Sequence, residues 1–249
     1  MKKILHITIS FLCFILLWQV LFLWGGYNSA LFPSPRDAWH AFEELIQNGI
    51  LWADIRISLW RFAVGYLGAS LLAVLLGLFL GWHQKLWRFF NPIAQVLRPI
   101  SPVAWLPFIV LFFGIGEVPA IVIIFLAAFF PVLLSTVSAV GAIDQTYLKV
   151  AQNFDIREPE ILWKIILPAA FPRIATGLHL ALGTAWVFLV AGEMAGAQSG
   201  LGFLVIDARN NLRADWLVAD MVVIGLLGLC LDSLMRGLEY MLAKRQGAK

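Results

Sequence analysis

The run from Pro119 to Val140, PAIVIIFLAAFFPVLLSTVSAV, holds 22 residues without one Asp, Glu, Lys or Arg. About 20 predominantly apolar residues in helical form cross the hydrocarbon of a bilayer. A helix at the surface of a soluble protein carries a polar face, and this run has none. It reads as a transmembrane helix, and the rest of the chain shares its imbalance. Of 249 residues, 61% are hydrophobic and 13% charged, against roughly 45–50% and about 25% in soluble domains. A chain this short cannot hide that much apolar side chain from water. Disordered, collagen-like and disulfide-scaffold classes are excluded by the same numbers. Cys13 and Cys230 both lie inside apolar runs and are expected to pack as small hydrophobes without bridging.

Six spans follow in a single membrane domain covering 1–249: residues 4–24, 62–82, 100–113, 119–140, 174–195 and 218–242. The third is broken by Pro99, Pro102 and Pro107, each of which lacks a backbone donor. Lys2 and Lys3 could open a secretory signal, but the apolar run behind them is longer than a usual signal core and no A-x-A site follows. A retained first helix is expected. Lysine and arginine collect on the cytoplasmic side of a membrane. With the amino terminus inside, 13 of the 18 basic residues fall inside, leaving Arg36, Arg56, Arg61, Arg209 and Arg213 outside. Both termini are then cytoplasmic. The net charge of +3 reflects this topology, and nucleic-acid binding is not needed to explain it.

The connections carry the polar residues. In the outer segment from Gly25 to about Arg61, Ser34-Pro35-Arg36-Asp37 resembles a helix start with a capping Ser and Pro at the first position. Ala38, Trp39, Phe42, Leu45 and Ile46 then share one helical face, fit for the membrane interface or for an external protein. The approach to the third span, Arg98-Pro99-Ile100-Ser101-Pro102-Val103-Ala104-Trp105-Leu106-Pro107, has two readings. It is a break at membrane depth lining a transport route, with Trp105 and Pro107 on the path, or a loop at the inner surface before a kinked helix.

The inner connection, 141–173, is the most informative. Tyr147, Val150, Ala151 and Phe154 recur at i, i+3, i+4 and i+7, one apolar stripe on a short helix. A second short helix is expected from Glu158-Pro159, carrying Ile161, Leu162 and Ile165 and ending before Pro168. The pair lies on the membrane or fits a groove in a partner.

Acids inside spans are costly and mark function. Glu193, followed by Met194, stands in the outer part of the fifth span, either on a path or hydrogen-bonded to a neighbouring helix. Asp232 precedes Arg236 by four residues, a spacing that allows an ion pair. His179 reads as a satisfied core histidine, and Gly177, Ala181 and Gly183 on the same span allow close helix contact. No phosphate-cradling loop, H-E-x-x-H pair or Ser/His/Asp set is present, so neither a catalytic nor a metal site is expected. Energised work would need another subunit to hydrolyse ATP.

Against the 141–173 connection, the chain resembles the permeases of ABC importers. Their cytoplasmic signature is EAA, three residues, Gly, nine residues, then I-x-L-P. Here Lys149-Val150-Ala151, Asp155 and Ile165-Ile166-Leu167-Pro168 keep that spacing, with Lys149 in place of Glu and Asp155 in place of Gly. Asp155 can still turn the chain, since Asp tolerates the left-handed conformation better than most residues. Further segments resemble the nitrate/taurine/aliphatic-sulfonate branch: Phe32-Pro33-Ser34-Pro35, Ser58-Leu59-Trp60-Arg61, Phe113-Gly114-Ile115-Gly116-Glu117, Leu167-Pro168-Ala169-Ala170 and Gly200-Leu201-Gly202-Phe203. The resemblance implies an all-α type I importer permease with six transmembrane helices and a coupling helix between spans 4 and 5. Tyr147, Lys149, Val150, Ala151, Phe154, Asp155, Ile165, Leu167 and Pro168 would couple it to the ATPase. It further implies a bacterial inner membrane and membrane lipid around the spans. A second permease copy, a pair of ABC ATPase subunits and a periplasmic or lipid-anchored solute-binding protein would be the partners. ATP and Mg would sit on the ATPase, with no cofactor in this subunit. The solute would be a small anion resembling nitrate, taurine or a sulfonate, or else a vitamin or thiamine-pyrimidine precursor. A secondary transporter would show two repeats, and a membrane enzyme would need convergent acids or metal ligands; the sequence offers neither.

Overall fold

The computed structural model describes residues 2–25, 28–29, 31–144 and 160–245, and the structural statements below concern these residues. They are helical: α1 (Lys2–Gly25), α2 (Pro35–Gln47), α3 (Ile50–Trp82), α4 (Gln84–Leu97), a 3-10 turn (Pro102–Trp105), α5 (Leu106–Phe113), α6 (Glu117–Gly141), a π turn (Leu162–Ile166), α7 (Leu167–Gly196), α8 (Leu201–Asn210) and α9 (Ala214–Arg245). Among the described residues, five helices are long and apolar enough to cross a membrane, and α4 with α5 adds a sixth if that bent pair is one span. Two compact units are formed. One comprises Met1–Ser58 and Ser199–Leu227, the other Leu59–Gln198 and Gly228–Lys249.

In the first unit, Ser34 caps α2: its hydroxyl accepts from the Asp37 amide, and the Asp37 carboxylate accepts from the Ser34 amide at 3.0 Å. Ala38, Ala41 and Leu45 form the buried face of α2. Trp39 is exposed, and its indole donates to Glu43 at 2.8 Å. An indole N–H without a partner is costly to bury, so the ring stays at the surface where its N–H is satisfied. The Trp18 indole donates to the Pro33 carbonyl at 3.1 Å and ties α1 to the chain before α2. At the start of α8, Asp54 accepts from the Gly200 amide at 2.7 Å and Ser58 from the Leu201 amide at 2.9 Å. Two of the orphan donors at that helix end are thereby satisfied.

The α3 helix has 33 residues. At 1.5 Å per residue that is about 50 Å, well beyond the roughly 30 Å of hydrocarbon. Its apolar stretch lies where a span is expected at 62–82, but the helix continues back through Arg61, Arg56 and Asp54. Arg61 is therefore a buried helical residue and not part of an outer loop.

In the second unit, α3, α6 and α7 approach one another through small residues. A Cβ placed on Gly77 would stand 2.6 Å from the Thr136 Cβ, one on Gly81 2.7 Å from the Val140 Cβ, and one on Gly65 2.8 Å from the Ile124 Cβ. On α7, Gly177 meets Ser135 and Gly192 meets the Ala120 backbone in the same way. Lipid tails are as apolar as leucine, so association within the bilayer relies on such close packing. A core of Leu78, Ala139, Val140, Ile161, Ile166, Ala170 and Ile174 closes one end of the bundle. Cys13 and Cys230 are free and exposed on helix surfaces instead of packed.

Pro168 does not end a helix, contrary to expectation. The chain from Glu160 is helical, widens into the π turn and continues unbroken as α7. A proline ring clashes with the carbonyl four residues earlier. The Leu167 amide bonds back five residues to Leu162, and the wider turn makes room for Pro168 next to it.

Gly77→Val is expected to lower the stability of the purified protein by about 1–3 kcal/mol through overpacking against Thr136. Gly68→Ala meets nothing within 4 Å and should cost nothing. Thermal unfolding of the two variants side by side checks this; equal losses would refute the close-packing account.

Candidate functional site

Three arrangements in the second unit join the candidate residues. The first is the break between α4 and α5, which bend by 85° across it. Pro102 opens the 3-10 turn and Pro107 lies in the first turn of α5, where a missing N–H costs nothing. Beyond α5, Gly114-Ile115-Gly116 leads into α6. Both glycines have positive φ, 74° and 152°, and the Gly116 amide donates to the Gly196 carbonyl at 3.0 Å. The break borders a cavity of about 440 Å³. Trp105, Arg98 and Ser101 line it from the break, Phe130 and Pro131 from α6, and Phe188 from α7. Pro131 gives no amide to the Ala127 carbonyl four residues before it, and Ala127 also lines this cavity.

The second arrangement is an ion pair. Arg61 Nη1 on α3 donates to Glu193 Oε1 on α7 at 2.9 Å, with the two side chains 1% and 0% exposed. Of the two roles open to Glu193, the geometry displays the hydrogen bond to a neighbouring helix. Taking both ions out of water is expensive, and the pair persists by satisfying each charge with the other.

The third lies between α7 and the second half of α9. His179 Nε2 is 2.7 Å from Asp232 and its Nδ1 is 2.9 Å from Glu239. Both contacts are hydrogen bonds when both ring nitrogens carry protons. Arg236 also donates to Asp232, as its spacing leads one to expect. His179 thus bridges the carboxylates of Asp232 and Glu239, and Arg236 shares Asp232 with it. The Tyr66 hydroxyl of α3 donates to the Leu178 carbonyl beside this cluster at 2.8 Å.

In the first unit, Arg213 forms ion pairs with Glu44 and Asp215, its guanidinium lies 4.5 Å over the Trp216 ring, and the Trp216 indole donates to Glu44 at 3.0 Å. The Arg213 guanidinium first, and the Trp216 indole second, hold the Glu44 carboxyl below its ordinary value.

Of the expected path residues, Trp105 lines the cavity. Pro107 is exposed beside it, Glu193 is buried in its ion pair, and Met194 is exposed on α7. Of the expected coupling residues, Ile165 belongs to the π turn, and Leu167 and Pro168 open α7. Ile165 and Leu167 pack on the core around Val140 and Ile174. Tyr147, Lys149, Val150, Ala151, Phe154 and Asp155 lie outside the described residues. Arg98, Ser101, Phe130 and Phe188 escape a reading by residue. Arg98 looks like one more inner-side cation, and the aromatics look like ordinary span residues. Only the fold brings them together.

Two outcomes follow from these pairs. Glu193→Leu should destabilise by about 3–5 kcal/mol, because Arg61 is left as a buried charge without this acceptor; a loss below 1 kcal/mol in denaturant titration would contradict the burial. Glu44 has a lowered folded value, so its contribution is complete above the ordinary carboxyl value of about 4.3 and is lost as pH falls through the folded value. Melting curves between about pH 5 and pH 3 should thus fall more steeply for the wild type than for Glu44→Gln.

Residues 69–247 match the family described as "Binding-protein-dependent transport system inner membrane component". The chain is 36% identical to the taurine transport system permease protein TauC of Escherichia coli (strain K12) over 197 residues, 79% of this chain and 72% of that protein. It is 32% identical to the nitrate import permease protein NrtB of Leptolyngbya laminosa over 242 residues, 94% of this chain and 86% of that protein. Among solved structures, a chain of the MetNI methionine ABC transporter in inward-facing form is similar in fold. The TM-score is 0.61 at 20% identity, covering 77% of this chain and 97% of that one.

Proposed function

The chain belongs to the binding-protein-dependent transport system inner membrane components, and we propose that it forms the passage of an ATP-driven importer for a small anion. Its family is one of transport permeases and not of catalytic enzymes, and its fold is that of a type I ABC importer permease. The observation that carries the proposal is the family match across 69–247, which takes in α4 to α9 and the 141–173 connection. Relatives named for taurine, an aminosulfonate, and for nitrate support an anionic solute.

The work divides between subunits. An ATPase pair binds ATP and Mg, and its closure pushes on the segment around 145–167. Ile165 and Leu167 pack against the core that holds Leu78 of α3 and Val140 of α6, so a push delivered there moves α7 as a rod. The passage, shared with a second copy of the chain, then alternates between facing inward and facing outward. An external binding protein delivers the solute on the outer side, and both termini lie in the cytoplasm of a bacterium.

The test is reconstitution in lipid with the co-expressed ATPase and a candidate binding protein. ATP hydrolysis should rise severalfold when the binding protein carries taurine, nitrate or an aliphatic sulfonate. A permease that purifies free of any ATPase would sink the importer reading. Stimulation by a thiamine-pyrimidine precursor and by none of the anions would overturn the solute class alone.

A further inference from the structure

We propose that His179, Asp232 and Glu239 form a proton-binding site at membrane depth, and that the bound proton latches the second half of α9 to α7. The site needs neither solute nor ATPase, so it stands apart from the importer reading.

The proton follows from counting. His179 Nε2 is 2.7 Å from Asp232 Oδ1, and its Nδ1 is 2.9 Å from Glu239 Oε2. At such distances a hydrogen lies between each nitrogen and its oxygen, since two facing lone pairs repel. A neutral imidazole carries one N–H and a carboxylate carries none. The two contacts therefore hold one proton more than a neutral ring and two carboxylates supply. Whether it sits on the ring or on an acid does not alter the count, because coupled groups share it. Among the described residues, no neighbour covers the need. On α9, Arg236 donates to Asp232 Oδ2, the oxygen that His179 leaves free. On α3, the Tyr66 hydroxyl donates to the Leu178 carbonyl at 2.8 Å. Between Pro119 and Gly141, α6 brings no Asp, Glu, Lys, Arg or His.

Charge leads to the same place. With the proton bound, the charges of Arg236, His179, Asp232 and Glu239 cancel. Without it, a negative charge is left over on two apolar spans, where an uncompensated ion is costly. The three side chains of the site are 22–31% exposed, buried enough for charge to matter and open enough for a proton to leave. Asp232 and Glu239 stand two turns apart on one face of α9, and His179 ties both to a single point of α7. Close packing of α9 on α7 lies further back, where a Cβ on Gly228 would stand 2.9 Å from the Trp186 indole nitrogen. Beyond it, Leu234, Leu238 and Met241 are exposed, which leaves the site as the polar fastening of this half. Since α7 runs on from the π turn, the end of α9 follows that helix when the proton is bound and is released when it is not. Closing takes up one proton, so the closed-to-open ratio falls as pH rises, by at most about 10-fold per pH unit.

The experiment uses the full chain in lipid nanodiscs, with Cys13→Ser and Cys230→Ser and with spin labels at Leu180→Cys and Tyr240→Cys, two exposed positions on α7 and α9. Double electron–electron resonance reads the spacing of the two helices from about pH 5 to about pH 10, a range that brackets the free imidazole. One short spacing is expected at the acid end, and a second, longer by about 2 Å or more, grows in as pH rises. Glu239→Gln should keep the short spacing at every pH, because its amide donates to a neutral ring and no extra proton is needed. A contact that only packed the helices would not lose its pH response in this way. His179→Leu should show the long spacing throughout; if it does not fold, the wild type against Glu239→Gln decides. Nitrogen-15 spectra of labelled histidine, with the His179 signal identified by its loss in His179→Gln, should change over the same pH range as the spacing. A wild-type spacing indifferent to pH, one that shifts equally in Glu239→Gln, or one that moves where the ring signal does not, overturns the proposal.

Discussion

A bilayer gives no partner to a backbone N–H or carbonyl and no hydrophobic reward for joining two apolar helices. Everything distinctive in this chain answers that double constraint. Helices approach through Gly65, Gly77, Gly81, Gly177 and Gly192, where the backbone itself makes the contact. Where the helical ladder is interrupted, protein supplies the missing bonds: Gly196 accepts from the amide of Gly116, and the Leu167 amide reaches back to Leu162. Charges that enter the spans arrive matched, Arg61 with Glu193 and His179 and Arg236 with Asp232 and Glu239.

A division of labour follows. The family is one of transport permeases and not of catalytic enzymes, and the sequence carries no phosphate-cradling loop. Its polar groups divide into those that fasten helices and those that face open space. The fastening groups are mutually satisfied at 2.6–3.0 Å, as at Arg213 with Glu44 and Arg61 with Glu193. A group held that tightly is a poor choice to meet a passing solute.

How far this could be read from the sequence depended on range. Local signals were legible: the Ser34 cap, the Asp232–Arg236 spacing and the apolar runs are fixed by residues within one or two helical turns of each other. The fold class followed from the absence of charge, which needs no partner to interpret. What failed involved contacts that no local pattern displays. Arg61 was assigned to an outer loop because hydropathy shows where lipid ends and says nothing about where a helix does. Its acceptor Glu193 lies 132 positions away. Pro168 looked like a stop because a proline reads as a helix end unless the preceding turn widens. The cavity was invisible for the same reason as Arg61, since Arg98, Phe130 and Phe188 share no pattern along the chain.

The wide turn at Leu162–Ile166 also sets the phase of whatever precedes it. Five residues share a loop of helix that closes with fewer in the ordinary form. Deleting one residue there would restore the tighter coil and rotate the preceding residues by about 100° about the helix axis. Ile161, now buried against Leu78 and Ala139, would swing off that contact while α7 kept its own register. The turn is thus the place where a change of a single residue in length would re-aim one end of this helix without disturbing the other.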